Sequence, residues 1–70
     1  MNTQQRSLGT ELPKEIKRCE ELLVAYAGIG PAGAFGLAVI KAKLAEAHRA
    51  TAEQDVVAML RAYEALRECK

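Results

Sequence analysis

The sequence predicts an all-α protein, a small antiparallel three-helix bundle with helices at about 13–27, 33–52 and 55–69. Three observations predict it. Apolar residues recur at three- and four-residue steps over three separate stretches. Prolines, glycines or a capping aspartate punctuate those stretches. No segment alternates apolar and polar residues with the period of a strand.

The first helix is expected at 13–27. Pro13 suits a first helical position, where its missing N–H costs nothing. Glu15 follows in the first turn, favourable to the helix dipole. Leu12, Ile16, Cys19, Leu23 and Tyr26 share one face, which Leu22 and Ala25 widen. Lys14, Lys17, Arg18, Glu20 and Glu21 form the wet side. Gly28 is the expected C-terminal stop.

The second helix is expected at 33–52, after the corner "GIGPAGAFG" with Pro31 at its start. Leu37, Ile40, Leu44 and Ala47 form one stripe, and Ala34, Ala38, Ala42 and Ala45 a second one of small side chains. Phe35 and Val39 lie beside it, while Lys41, Lys43, Glu46 and Arg49 face water. So much apolar circumference predicts a central helix with neighbours on two sides. The third helix has Asp55 as its N-cap, with a Thr51–Gln54 capping box as the alternative start. Val56, Met59, Leu60, Tyr63 and Leu66 form its buried face. The run "AEQDVVAMLRAYEAL" resembles the turn and second helix of a tetratricopeptide-type hairpin, a partial match, and one unit is no repeat array.

Seventy residues make one domain, here 12–70, preceded by a flexible polar tail at 1–11. Large core-filling side chains are few and tryptophan is absent, so a lone copy has a thin core. Self-association as a homo-oligomer is therefore expected. Phe35, Ala38, Val39, Ala42 and Ala45 are the candidate self-association or partner surface. Ten basic residues balance nine acidic ones for a formal net charge of +1. That balance supplies no field for nucleic acid or an anionic membrane. No apolar run is expected to reach a membrane span, and the start lacks a signal-peptide core. A cytoplasmic location follows as the expectation.

No catalytic set emerges. His48 is the single histidine, beside Arg49 late in the second helix, where a solvated or dipole-facing role is expected. Tyr26 and Tyr63 read as core edges with hydroxyls in water. Cys19 and Cys69 are expected to be free thiols: level helix starts would leave them offset by about 11 Å along the bundle, too far for a disulfide. Metal and cofactor sites are not expected, for want of clustered donors. The glycine-rich corner is neither a Walker loop, lacking G-K-[ST], nor a dinucleotide fingerprint, lacking a βαβ setting. Its packing role is that of a helix–helix corner. The alternative is an anionic ligand, such as a nucleotide, at the second helix's start, with Gly30, Ala32, Gly33, Ala34, Gly36 and Lys41 as candidates.

The combination of "LPKEIKRCEELL", "IGPAGAFG" and "DVVAMLRAYEAL" resembles a family of small bacteriophage and prophage accessory proteins with no assigned activity. The likeness covers residues 12–69. It implies a class: a non-enzymatic binder of a host or phage protein that inhibits a host factor or defence, or a sequesterer of a small signalling molecule. It assigns no residue a role.

Overall fold

A computed structural model describes residues 7–70. The all-α class is observed: every regular element among the described residues is helical. Helix α1 spans Leu8–Ile29, α2 spans Ala34–Glu53 and α3 spans Val56–Arg67. A 3-10 turn, Gly30–Gly33, joins α1 to α2 without a non-helical residue between them. By backbone continuity there are thus two helical runs, 8–53 and 56–67, the first bent into two pieces.

The start of α1 corrects the expected boundary. Leu8–Glu11 belong to the helix and not to a tail, while residues 1–6 of the expected tail lie outside the described residues. Ser7 is the cap: its hydroxyl accepts from the Thr10 N–H at 3.2 Å, and its carbonyl from the Thr10 and Glu11 N–H groups. Pro13 therefore lies inside the helix, where it forfeits one backbone hydrogen bond. Burial of Leu12 and partial burial of Leu8 against the core offset that loss. The cap at position 7 carries the helix through a proline that, read locally, marks a start.

The corner also differs in detail. Gly28 is an ordinary exposed helical residue, and the stop falls at Gly30, with φ +84° and its N–H on the Ala27 carbonyl. Only a residue without Cβ takes that conformation readily. The chain then folds back, bringing Tyr26 of α1 onto Gly36 of α2. Glu20 meets His48 at 3.6 Å further along the same antiparallel pair. Gln54 makes the second corner in a left-handed conformation, with Asp55 capping α3 by accepting from the Ala58 N–H at 3.1 Å. The Asp55 cap is as expected. Thr51 instead donates back to the Ala47 carbonyl at 2.8 Å, so it starts no helix.

Helix α3 runs parallel to α1. Arg18 donates from Nη1 to the Cys69 carbonyl at 2.9 Å and from Nη2 to the Leu66 carbonyl at 2.7 Å. The same guanidinium takes Glu15 at 2.9 Å, so it bridges its own helix and the end of α3. These carbonyls lie at and just past the C-terminal end of α3, where a cation complements the helix dipole. The core lies between the pieces: Leu12 and Cys19 from α1, Ile40, Leu44 and Ala47 from α2, Ala62 and Leu66 from α3, and Cys69 beyond it. It is as thin as the composition implies, with Leu12, Leu66 and Cys19 its largest fully enclosed side chains.

One sequence expectation is overturned by charge spacing. Residues 22–40 hold no charged side chain. Within Leu8–Glu53 the described residues therefore include one helical run long and apolar enough, by length and composition, to cross a membrane. The Gly30–Gly33 turn breaks that run into two antiparallel arms.

Candidate interaction surfaces

Helix α2 presents a row of apolar side chains away from the core. Phe35 is 81% exposed, Ala38, Ala42 and Ala45 are exposed, and Val39 is half-buried. Residues 35, 38, 42 and 45 are spaced by three, four and three, so they share one face. The alanines that let neighbours approach within this chain are others: Ala47 and Ala50 of α2 and Ala62 of α3 are buried. Helix α2 thus has α1 and α3 as neighbours and keeps a small-residue seam uncovered.

Alongside the seam runs a groove of about 570 Å³ between α2 and α3. Its floor is Ala42, Ala58, Ala62 and Ala65, and its rim carries both charge signs, with Glu46 and Asp55 facing Arg49 and Arg61. Arg49 pairs with both Glu46 and Glu53 on its own helix. Hydrogen bonding to Arg49 holds the Glu46 carboxyl below the usual carboxylate range. Lys43, expected on the wet side, is half-buried and reaches across to the Ala65 carbonyl at 3.4 Å.

The glycine-rich corner is filled by the protein itself. Gly33 is buried, and a Cβ there would stand 2.5 Å from the Tyr26 carbonyl oxygen. A Cβ on Gly36 would overlap the Tyr26 ring. The Tyr26 hydroxyl goes on to donate to the Lys70 carbonyl at 2.5 Å. Of the candidate ligand residues, Gly30, Ala32 and Ala34 are exposed at the turn, and Lys41 is exposed on α2. The Gly30 N–H is taken by Ala27 and the Ala34 N–H by Pro31. Because the helical hydrogen bonding continues from α1, α2 does not begin with the unpaired N–H groups that attract an anion. The corner brings glycines together for packing against Tyr26. Lys43 and Lys70 line a small cavity beside Gly36 and Tyr26, with Glu68 among them.

The cysteines are free, as expected, but Cys69 is buried as well as Cys19, and the expected separation is wrong. Cys19 lies eleven residues from the start of α1 at Leu8, and Cys69 thirteen from the start of α3 at Val56. With parallel helices that difference is worth about 3 Å, and the Cys19 thiol and the Cys69 backbone N–H both donate to the Leu66 carbonyl, at 3.4 and 3.0 Å. Burial, then the Cys69 thiol beside it, pushes the Cys19 thiol up to about 11, against a weaker opposing pull from Arg18. Neither this pair nor His48, which faces Glu20 on the surface, forms a larger donor set: among the described residues no three His, Cys, Asp or Glu side chains converge.

Arg18, Tyr26 and the cysteine pair are the groups whose partners sequence reasoning missed. Their partners lie 44–51 positions away, on the last residues of the chain. Local spacing carries no signal for them. Only the register between α1 and α3 does.

No family model, no curated protein and no solved structure matches this chain.

Proposed function

We propose that this chain is a compact three-helix binding module without enzymatic activity, which pairs with a second copy of itself along the exposed seam of α2. The observation that carries this reading is the seam: Phe35, Ala38, Ala42 and Ala45 stay outside the core of a protein short of core-filling side chains. Small residues at three- and four-residue spacing let two helix backbones approach closely, and Phe35 supplies a large apolar anchor at one end. The flanking charges favour a like pair. In a parallel heptad pairing with 35 and 42 at a and 38 and 45 at d, Lys41 of one copy faces Glu46 of the other, and the symmetry repeats the ion pair. The paired module then offers the α3 side of its α2/α3 groove, with Ala58, Ala62 and Ala65 as floor and Asp55 and Arg61 on the rim, to a host or phage protein. The phage-accessory resemblance of residues 12–69 is what points to that class of partner, to an inhibitory role and to the host cytoplasm. A nucleotide at the glycine corner is not carried forward, because Tyr26 occupies the space that the glycines open.

Ala42→Glu tests the seam. Ala42 is exposed, so the substitution leaves the helical circular dichroism intact. It places two carboxylates against each other on the dimer axis and weakens association at least 100-fold in sedimentation equilibrium. An unchanged association constant rules out this surface.

A further inference from the structure

We propose that Cys19 and Cys69 form a site of reversible disulfide modification, closed by thiol–disulfide exchange with a low-molecular-weight disulfide. The geometry is built from both sides of the α1/α3 contact. The Cys19 thiol donates to the Leu66 carbonyl at 3.4 Å, and the Cys69 backbone N–H donates to that same oxygen at 3.0 Å. Arg18 clamps the pair of strands of chain together there, with hydrogen bonds to the Leu66 and Cys69 carbonyls. Both cysteines are enclosed, Cys19 at 0% and Cys69 at 7% exposure, in one apolar cluster. A disulfide needs backbones a few ångströms apart, and the shared Leu66 carbonyl brings the Cys19 thiol and the Cys69 backbone N–H to one point.

The two thiols differ in how they can be reached. Cys19 is in the interior of α1, whereas Cys69 lies two residues past Arg67, the last residue of α3. Local opening of that non-helical segment exposes Cys69 without unfolding α1. Its thiolate attacks one sulfur of the external disulfide, forming a mixed disulfide and releasing one thiol. Cys19, as thiolate, then attacks the Cys69 sulfur, forms the internal bond and displaces the second thiol. Two protein thiols and one disulfide become one protein disulfide and two small thiols, which take up both protons. The product covalently fixes the end of α3 to the middle of α1, and with it the Tyr26–Lys70 contact beside the glycine corner.

The test exposes the full chain to oxidised glutathione, quenches with an alkylating reagent and reads the intact mass. The expected wild-type product is two hydrogens lighter, unalkylated and monomeric on non-reducing gels. Its melting temperature rises by on the order of 15 °C, since the bond closes a loop of about 50 residues. Cys19→Ser stops at one glutathione on Cys69, and Cys19→Ala replaces it should a hydroxyl in that apolar site prevent folding. Cys69→Ser stays unmodified in its folded form. A wild-type chain that ends as the glutathione adduct, or as a dimer crosslinked through Cys69, overturns the proposal.

Discussion

Gly33→Val lowers the stability of this protein by about 3 kcal/mol, at the upper end of what overpacking costs. The reason is the identity of the obstacle. A Cβ at position 33 would come within 2.5 Å of the Tyr26 carbonyl oxygen and 3.3 Å of the Ile29 Cβ. The carbonyl is backbone within α1, so it cannot rotate away, and relief requires the hairpin to open. Gly36 makes a useful contrast. A side chain there meets the Tyr26 ring, which can swing aside at the expense of the hydroxyl's bond to Lys70. Gly36→Ala is therefore the milder change. A domain of this size has on the order of 5 kcal/mol in total, so Gly33→Val removes more than half. Urea unfolding followed by circular dichroism measures both. A Gly33→Val midpoint equal to wild type would mean that the two helices do not meet at this residue.

Leu66→Ala leaves the chain largely unfolded at room temperature. Leu66 is fully enclosed and, with Leu12 and Cys19, is among the largest side chains so buried in the described residues. Truncating a buried leucine costs about 2–5 kcal/mol, and more where the surroundings cannot collapse into the space. Here the neighbours are held in place. Arg18 and Cys19 both anchor on the Leu66 carbonyl, which the substitution leaves intact, so the change isolates the side chain. Leu60, on the same helix but exposed, is the control, and Leu60→Ala shifts the unfolding midpoint by less than a quarter as much. Equal losses at the two positions would contradict the packing of α3 described above.

The all-α class and the inward faces of α1 and α2 were legible in the sequence because period and burial agree: Leu12, Cys19, Ile40, Leu44 and Ala47 come from the predicted stripes and are buried. On α3 the expected face was rotated: Leu66 is buried, but Val56 and Leu60 are exposed and Ala62, expected only to flank that face, is buried, because α1 and α2 cover the small-residue side. The Asp55 cap was legible because it acts on a residue three positions away. Two punctuation marks misled. Pro13 and Gly28 have the local chemistry of a helix start and stop, but the Ser7 cap and the burial of Leu12 extend the helix before the first, and the turn is made two residues after the second, at Gly30. That shift of α1 by five residues at its start also accounts for the misjudged cysteine separation, because axial offset was counted from the wrong end. The charge-free interval 22–40 was overlooked because alanine and glycine dilute it, although its length is plain once Glu21 and Lys41 are taken as its limits. The division of α2 into an Ile40–Ala47 stripe and a Phe35–Ala45 seam was legible from period alone, and Ala47 is covered while Ala38 is exposed; the half-burial of Val39 and Lys43 was not, because it depends on the placement of α1 and α3.

The central claim is that the uncovered seam of α2 joins two copies. Sedimentation equilibrium of the full wild-type chain, kept reduced and measured over a hundredfold range of concentration, tests it most directly. The expected result is a mass that rises to twice that of the 7.6 kDa chain and stays there. A single 7.6 kDa species at every concentration would contradict it.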